Sequence, residues 1–148
     1  MLLYLDACCL NRPFDDQSQL RVRLETEAIR TIVQLCQDGV HSWIGSDLLR
    51  MELEQTPDPD RRQLTLDLLS CAGVIVEATE SDQVRAVQLA ATGVHGLDAV
   101  HLAIAERMQC DRFLTTDDRL ARRSERPTVP PLNVRVVNPL AWIQEQAA

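Results

Sequence analysis

Three aspartates stand where a carboxylate is costly unless something pairs with it. Asp6 ends the apolar run Leu2-Leu3-Tyr4-Leu5, Asp98 opens a nearly all-apolar stretch, and Asp117 follows Phe113-Leu114-Thr115-Thr116. An unpaired buried carboxylate is expensive, and like charges brought together raise one another's pKa. Acids gathered in this way call for a cation. Oxygen donors without paired His or Cys suit Mg²⁺ or Mn²⁺ rather than zinc. Such an ion, alone or as one of a pair, turns bound water into a nucleophile and steadies the charge that builds on a phosphate. The chemistry this favours is phosphodiester hydrolysis. His101 follows Asp98 by one turn on the same helix face; on so apolar a helix it reads as a hydrogen-bonded structural residue rather than a general base.

The elements around these acids explain how they could meet. Leu2 to Leu5 has no helical period and reads as a strand buried on both faces of a parallel sheet, which puts Asp6 at its carboxyl end. That is the edge where open α/β sheets bind ligands. After the polar loop Asn11-Arg12-Pro13-Phe14-Asp15-Asp16, the spacing of Leu20, Leu24, Ala28, Ile32, Leu35 and Cys36 predicts an amphipathic helix over about 18–38, ended by Gly39. Val40 to Ile44 predicts a second strand. Ser46 and Asp47 are candidate caps for the helix that carries Met51 and Leu53, and with them Glu52 and Glu54, either of which is available as a fourth acid. A helix over Arg61 to Cys71, a strand at Val74-Ile75-Val76 and a helix from Glu80 follow. The helix of Asp98 spans about Leu97 to Gln109, and the strand Arg112 to Thr115 delivers Asp117 to the same edge as Asp6. Val134 to Val137 is a last strand, and Asn138-Pro139 starts a terminal helix. Alternating strands and helices imply a parallel sheet covered on both faces.

The totals agree. A chain of 148 residues has the length of one domain able to bury a core without disulfides. The net charge is −7 and lysine is absent, so all fifteen cations are arginines and any mechanism needing lysine is excluded. An acidic surface argues against broad, non-specific grip on nucleic acid. A local exception is the run Arg119, Arg122, Arg123 and Arg126 just after Asp118. Five cysteines without a CxxC suit a reduced compartment. The start MLLYLDACCLNR has no basic region before its apolar run, and no run of about eighteen apolar residues follows. We therefore expect a cytoplasmic protein with no membrane span. Cys8-Cys9, with nothing in the sequence to lower a thiol pKa, reads as buried packing, and Asp15-Asp16 as a solvated loop.

In the order and spacing of YLDACCLNRPFDD, SDLLRME, DAVHLA and TTDD, the chain resembles the PIN-domain ribonucleases, which include VapC-type toxins. The likeness spans nearly all of it, so residues 1–148 are expected to form a single PIN-like nuclease domain. It implies a three-layer α/β/α fold with a central, mostly parallel sheet, Mg²⁺- or Mn²⁺-dependent cleavage of RNA, frequent homodimers and, for the toxin branch, an antitoxin protein. By position the family's acidic ligands fall on Asp6, Glu52, Asp98 and Asp117, with Asn11 and Thr115 as polar helpers of the site. Glu54 is open to the role of Glu52, and Asp118 to a share in that of Asp117. The spacing from Ser46 and the Thr115-Thr116-Asp117 pattern favour the first of each pair. Arg119, Arg122 and Arg123 are candidate phosphate contacts. A phosphatase or phospho-acceptor domain is disfavoured, because no DxD follows the first strand and no lysine is present. The competing function from another class is a catalytically idle module that holds a protein partner or RNA.

Overall fold

The computed structural model describes residues 1–147. Strand β1 (Leu2–Leu5) leads into α1 (Ala7–Asn11), a 3-10 turn at Arg12–Phe14 and the long α2 (Leu20–Gln37). Then come β2 (Ser42–Ser46), α3 (Asp47–Glu54), α4 (Pro59–Leu69), β3 (Val74–Val76), α5 (Glu80–Leu89) and α6 (Gly96–Arg107). The chain closes with β4 (Arg112–Leu114), α7 (Asp118–Ser124), β5 (Arg135–Val137) and α8 (Pro139–Ala147). The five strands form one sheet in the order β3-β2-β1-β4-β5, every pair parallel.

Side-chain alternation along the strands sorts the core into two layers. Tyr4, Ile44, Phe113 and Val136 face α5, α6 and α7 through Leu89, Val100, Ile104 and Leu120. Leu3, Leu5, Trp43, Leu114 and Val137 face the other way, onto Ile29 and Ile32 of α2, Leu49 and Leu53 of α3, and Trp142 of α8. The result is the three-layer α/β/α architecture the sequence implies. The sheet is parallel throughout, and each strand is joined to the next in sequence by a helical crossover.

Strand order decides where a site can form. From β1 the chain builds outward to β2 and β3, then returns to add β4 and β5 on the other side of β1. The crevice beyond the carboxyl ends of β1 and β4 is therefore a topological switch point, where such folds bind ligands. Register places Leu5 beside Leu114, so the next residues, Asp6 and Thr115, meet there.

Three sequence expectations shift. Strand β2 starts at Ser42, two residues late, because Gly39 and Val40 belong to the turn that ends α2; Val40 is exposed. In α2, Leu20 and Leu24 face outward, and the buried stripe runs through Val22, Glu25, Thr26, Ile29, Ile32 and Val33. Glu25 can sit inside because Arg12 and Arg21 pair with its two carboxylate oxygens at 3.2 and 3.3 Å, and Asn138 donates to it as well. That ion cluster turns the helix away from its leucine spacing. Asp15 is likewise no free loop charge, since Arg61 and Arg12 both pair with it.

Candidate active site

Asp6 caps the amino terminus of α1. Its Oδ1 accepts from the Ala7 amide at 2.8 Å and its Oδ2 from the Thr115 hydroxyl at 3.0 Å, with the Cys8 thiol at 3.5 Å. It is buried, and burial above all, then Cys8 and the charge of Asp98, holds its pKa well above the usual carboxylate range. Thr115 links two of the acids, because its Oγ1 also accepts from the Asp117 amide at 3.1 Å. Asp117 caps α7 through Oδ1, which accepts from the amides of Arg119 and Leu120, and is otherwise open to solvent.

Asp98 stands in the first turn of α6, opposite these two. Its pKa is also raised, by partial burial first and, against the lowering effect of His101, by the charges of Asp117 and Glu52. Asp98 thus lies in electrostatic reach of all three other predicted acids. Glu52 is placed by a buried chain of polar groups. Ser46 Oγ, which caps α3, lies 2.7 Å from Tyr4 Oη; Tyr4 Oη lies 2.6 Å from His101 Nδ1, and His101 Nε2 lies 3.1 Å from Glu52 Oε1. With Tyr4 donating to Nδ1, the imidazole carries its proton on Nε2 and donates it to Glu52. His101 is fully buried, the structural role its apolar helix suggests. Tyr4 and Ser46 as its partners were not foreseen; the signal was a phenol in an otherwise aliphatic strand, whose hydroxyl must find a partner when buried.

The carboxylates form no tight cage. Among the described residues, no three His, Cys, Asp or Glu side chains come together closely enough to hold an ion. Asp117 is turned to its helix cap and Glu52 to His101, so closure on an ion requires those side chains to rotate. The donor set nevertheless fits a hard divalent cation. It consists of carboxylate oxygens, two of them at the ends of the adjacent strands β1 and β4, and among the described residues no arginine pairs with Asp6, Asp98 or Asp117, although arginines neutralise Glu25, Asp82 and Asp118 elsewhere.

The remaining predicted residues separate. Asp98, Asp117, Arg119 and Arg123 line one cleft of about 270 Å³, floored by Gly93, Val94 and Leu120 and bounded by His95. Gly93 has φ +90°, and a Cβ there would come within 2.9 Å of the Arg126 guanidinium, so the turn into this cleft suits glycine alone. Arg122 lies one turn from Asp118, whose carboxylate it helps stabilise, and does not line the cleft. Asp118 is held by both guanidinium nitrogens of Arg21 at 2.9 Å, which keeps its pKa low. The Asn11 amide donates to Ala7 O and its oxygen accepts from Arg61. Neither Asp118 nor Asn11 bonds to a site acid. Glu54 is exposed and Glu52 half-buried beside His101, so Glu52 is the nearer of the two.

Cys8 departs from expectation. The Cys9 thiol, the Thr115 hydroxyl and the Thr116 amide surround its sulfur and, against the cost of burial, lower its pKa to about 6. Cys9 is its neighbour in sequence, but Thr115 and Thr116 come from the loop after β4, more than a hundred residues on, where the sequence gives no sign of them.

The PIN domain family model matches residues 3–126. The chain belongs to the PIN-domain family, a family of nucleases. No curated protein matches its sequence. Its fold is shared with a chain of the crystal structure of VapBC2 from Rickettsia felis bound to a DNA fragment from their promoter. The TM-score is 0.58 at 11% identity, over 93% of this chain and 98% of that one. Among the described residues, no helix is long and apolar enough to cross a membrane.

Proposed function

We propose that the whole chain acts as one nuclease domain, a Mg²⁺- or Mn²⁺-dependent endoribonuclease whose metal ligands are Asp6, Asp98 and Asp117, with Glu52 as the fourth acid. One observation carries the reading. A buried aspartate at the switch point of a parallel sheet lacks a protein cation and lies in electrostatic contact with Asp98, which is itself in contact with Asp117 and Glu52. The ion, when bound, supplies the charge that lets acids crowd and a Lewis acid for phosphodiester hydrolysis. The chain's own residues do the rest. Thr115 orients Asp6 and the Asp117 loop, His101 holds Glu52, and Arg119 and Arg123 meet the phosphate backbone beside Asp98. Incubation of the purified protein with single-stranded RNA and Mn²⁺, with and without chelator, tests this. Cleavage is expected with Mn²⁺ alone; cleavage that persists in chelator, or survives Asp98→Asn unchanged, contradicts it.

The family and the fold shared with a VapBC2 chain support a toxin role, with a small antitoxin protein as partner, a homodimeric form and a place in the cytoplasm. Under this reading a basic side chain of the partner enters the acidic cleft and displaces the ion, so adding the partner stops cleavage. A partner that binds yet leaves the rate untouched contradicts it. The open arrangement of the acids favours one competing reading, an idle module that holds a protein or RNA. Such a module would show no rise in melting temperature with Mn²⁺.

A further inference from the structure

The acidic cleft has a neighbour of opposite character. Between α5 and α6 lies a second cleft, of about 470 Å³, lined by Val87, Ala90, Leu97 and Val100, with Gln83 at its edge. Its volume falls within the range of small-ligand pockets, about 300–1,000 Å³. Val87 is 76% exposed and Leu97 44%, so the cleft presents aliphatic surface to solvent. The acidic cleft and this one share a single lining residue, His95.

His95 precedes α6 in an extended conformation and makes no side-chain cap to the helix. Its ring is exposed, which sets it apart in this chain. Tyr4, Trp43, Phe113 and Trp142 are all in the core, His101 is buried in its hydrogen-bond chain, His41 packs edge-on against Trp142, and Phe14 is half-buried in the furrow between α2 and α4. Among the described residues, His95 is the one exposed ring beside the acids. Single-stranded RNA presents phosphates and bases alternately, and proteins recognise its splayed bases by stacking them on ring faces.

We propose that His95 is a base-binding residue. A phosphate of the RNA sits among Asp98, Asp117, Arg119 and Arg123, and the adjoining unpaired nucleobase stacks on the His95 ring and enters the aliphatic cleft between α5 and α6. Gln83 there offers the base edge a donor and an acceptor. The inference rests on the ribonuclease reading and adds to it a site for a nucleobase. It commits to RNA rather than a second protein chain because the cleft shares its lining residue His95 with the one that combines acids and arginines.

The test compares wild type, His95→Ala and His95→Phe, each with a fluorescent single-stranded oligoribonucleotide and the same oligomer carrying abasic positions. Affinity is read in chelator, KM and kcat in Mn²⁺, and Mn²⁺ affinity by calorimetry. His95→Ala is expected to weaken binding and raise KM about tenfold, with kcat and Mn²⁺ affinity unchanged, and His95→Phe to restore both. Abasic RNA should bind wild type less tightly but make no difference to His95→Ala. Equal affinities across the three proteins, or no penalty for abasic RNA, overturn the proposal while leaving the nuclease reading standing. So does a Val87→Arg variant that splits a dimer without changing RNA affinity, because the cleft is then an interface between copies. Absence of both RNA binding and Mn²⁺-dependent cleavage in wild type overturns the nuclease reading and this one with it.

Discussion

Two buried aspartates, Asp82 and Asp6, are handled in opposite ways. Asp82, in the first turn of α5, is 1% exposed and Asp6 is 6% exposed. Arg107 grips both oxygens of Asp82 at 2.8 and 3.0 Å, and the Thr79 amide adds a third bond at 2.8 Å. Burial pushes the Asp82 pKa up, but Arg107 and Thr79 outweigh it and the net shift is downward. Asp6 receives a backbone amide and a hydroxyl but no cation, and its pKa rises. Where a carboxylate serves only to fasten α5 to α6, the fold supplies its counter-charge. At the switch point it supplies none, and a further acid, Asp98, stands within electrostatic range. Under the proposed function, the counter-charge of Asp6 comes from a bound cation.

The contrast predicts effects of different kinds. The largest is on activity: Asp6→Asn or Asp98→Asn should lower Mn²⁺-dependent RNA cleavage about 100-fold or more, whereas Asp82→Asn should leave the rate per folded molecule nearly unchanged. Comparable rates in all three variants would erase the distinction.

Next comes stability. Arg107→Ala leaves Asp82 buried without its cation and should cost about 3 kcal/mol in urea unfolding. Asp6→Asn should do the reverse, raising the melting temperature of metal-free protein at pH 7. The sign follows from linkage. Asp6 titrates higher in the fold than in the unfolded chain, where its pKa is about 3.9. Its contribution is therefore complete below that pH and is lost as pH rises through the folded-state value. The gain from Asp6→Asn should vanish near pH 4. The contribution of Asp82 is present above about pH 4 and is lost as pH falls through its depressed pKa. A melting curve for Asp6→Asn that falls below wild type at pH 7 would mean that Asp6 is structural after all.

The smallest effect sharpens the comparison at the site's own margin. Arg21 and Asp118 pair bidentately but are 55% and 51% exposed, so Asp118→Asn, which leaves the pair between Arg21 and buried Glu25 in place, should cost less than about 1 kcal/mol, and less still at high salt. Any loss of cleavage in that variant larger than the stability change would show that Asp118 takes part in the site beside Asp117.

Much of the fold was legible because buried parallel strands and their helices carry strong local signals. Leu2–Leu5, Val74–Val76 and the Asp98 helix declared themselves by apolar run and length. The helix over Leu20–Gln37 was legible in extent but not in orientation, because Glu25, a charged residue, holds a core position that distant Arg12 and Asn138, together with Arg21, make tolerable. The carboxyl-edge positions of Asp6 and Asp117 followed from topology. Their hydrogen-bond partners did not, since Thr115 reaches Asp6 and Cys8 across more than a hundred residues. His95 went unnoticed for a related reason. Its place between two clefts depends on how α5 packs on α6, and no spacing in the sequence encodes that.

The central claim is that the acids at this edge hold a divalent cation. A crystal soaked in Mn²⁺ and measured for anomalous scattering tests it most directly. The account predicts Mn²⁺ between Asp6, Asp98 and Asp117, with Asp117 or Glu52 turned inward from its present hydrogen bonds. Anomalous density absent from that edge, with Asp6 still buried and unpaired, would contradict it.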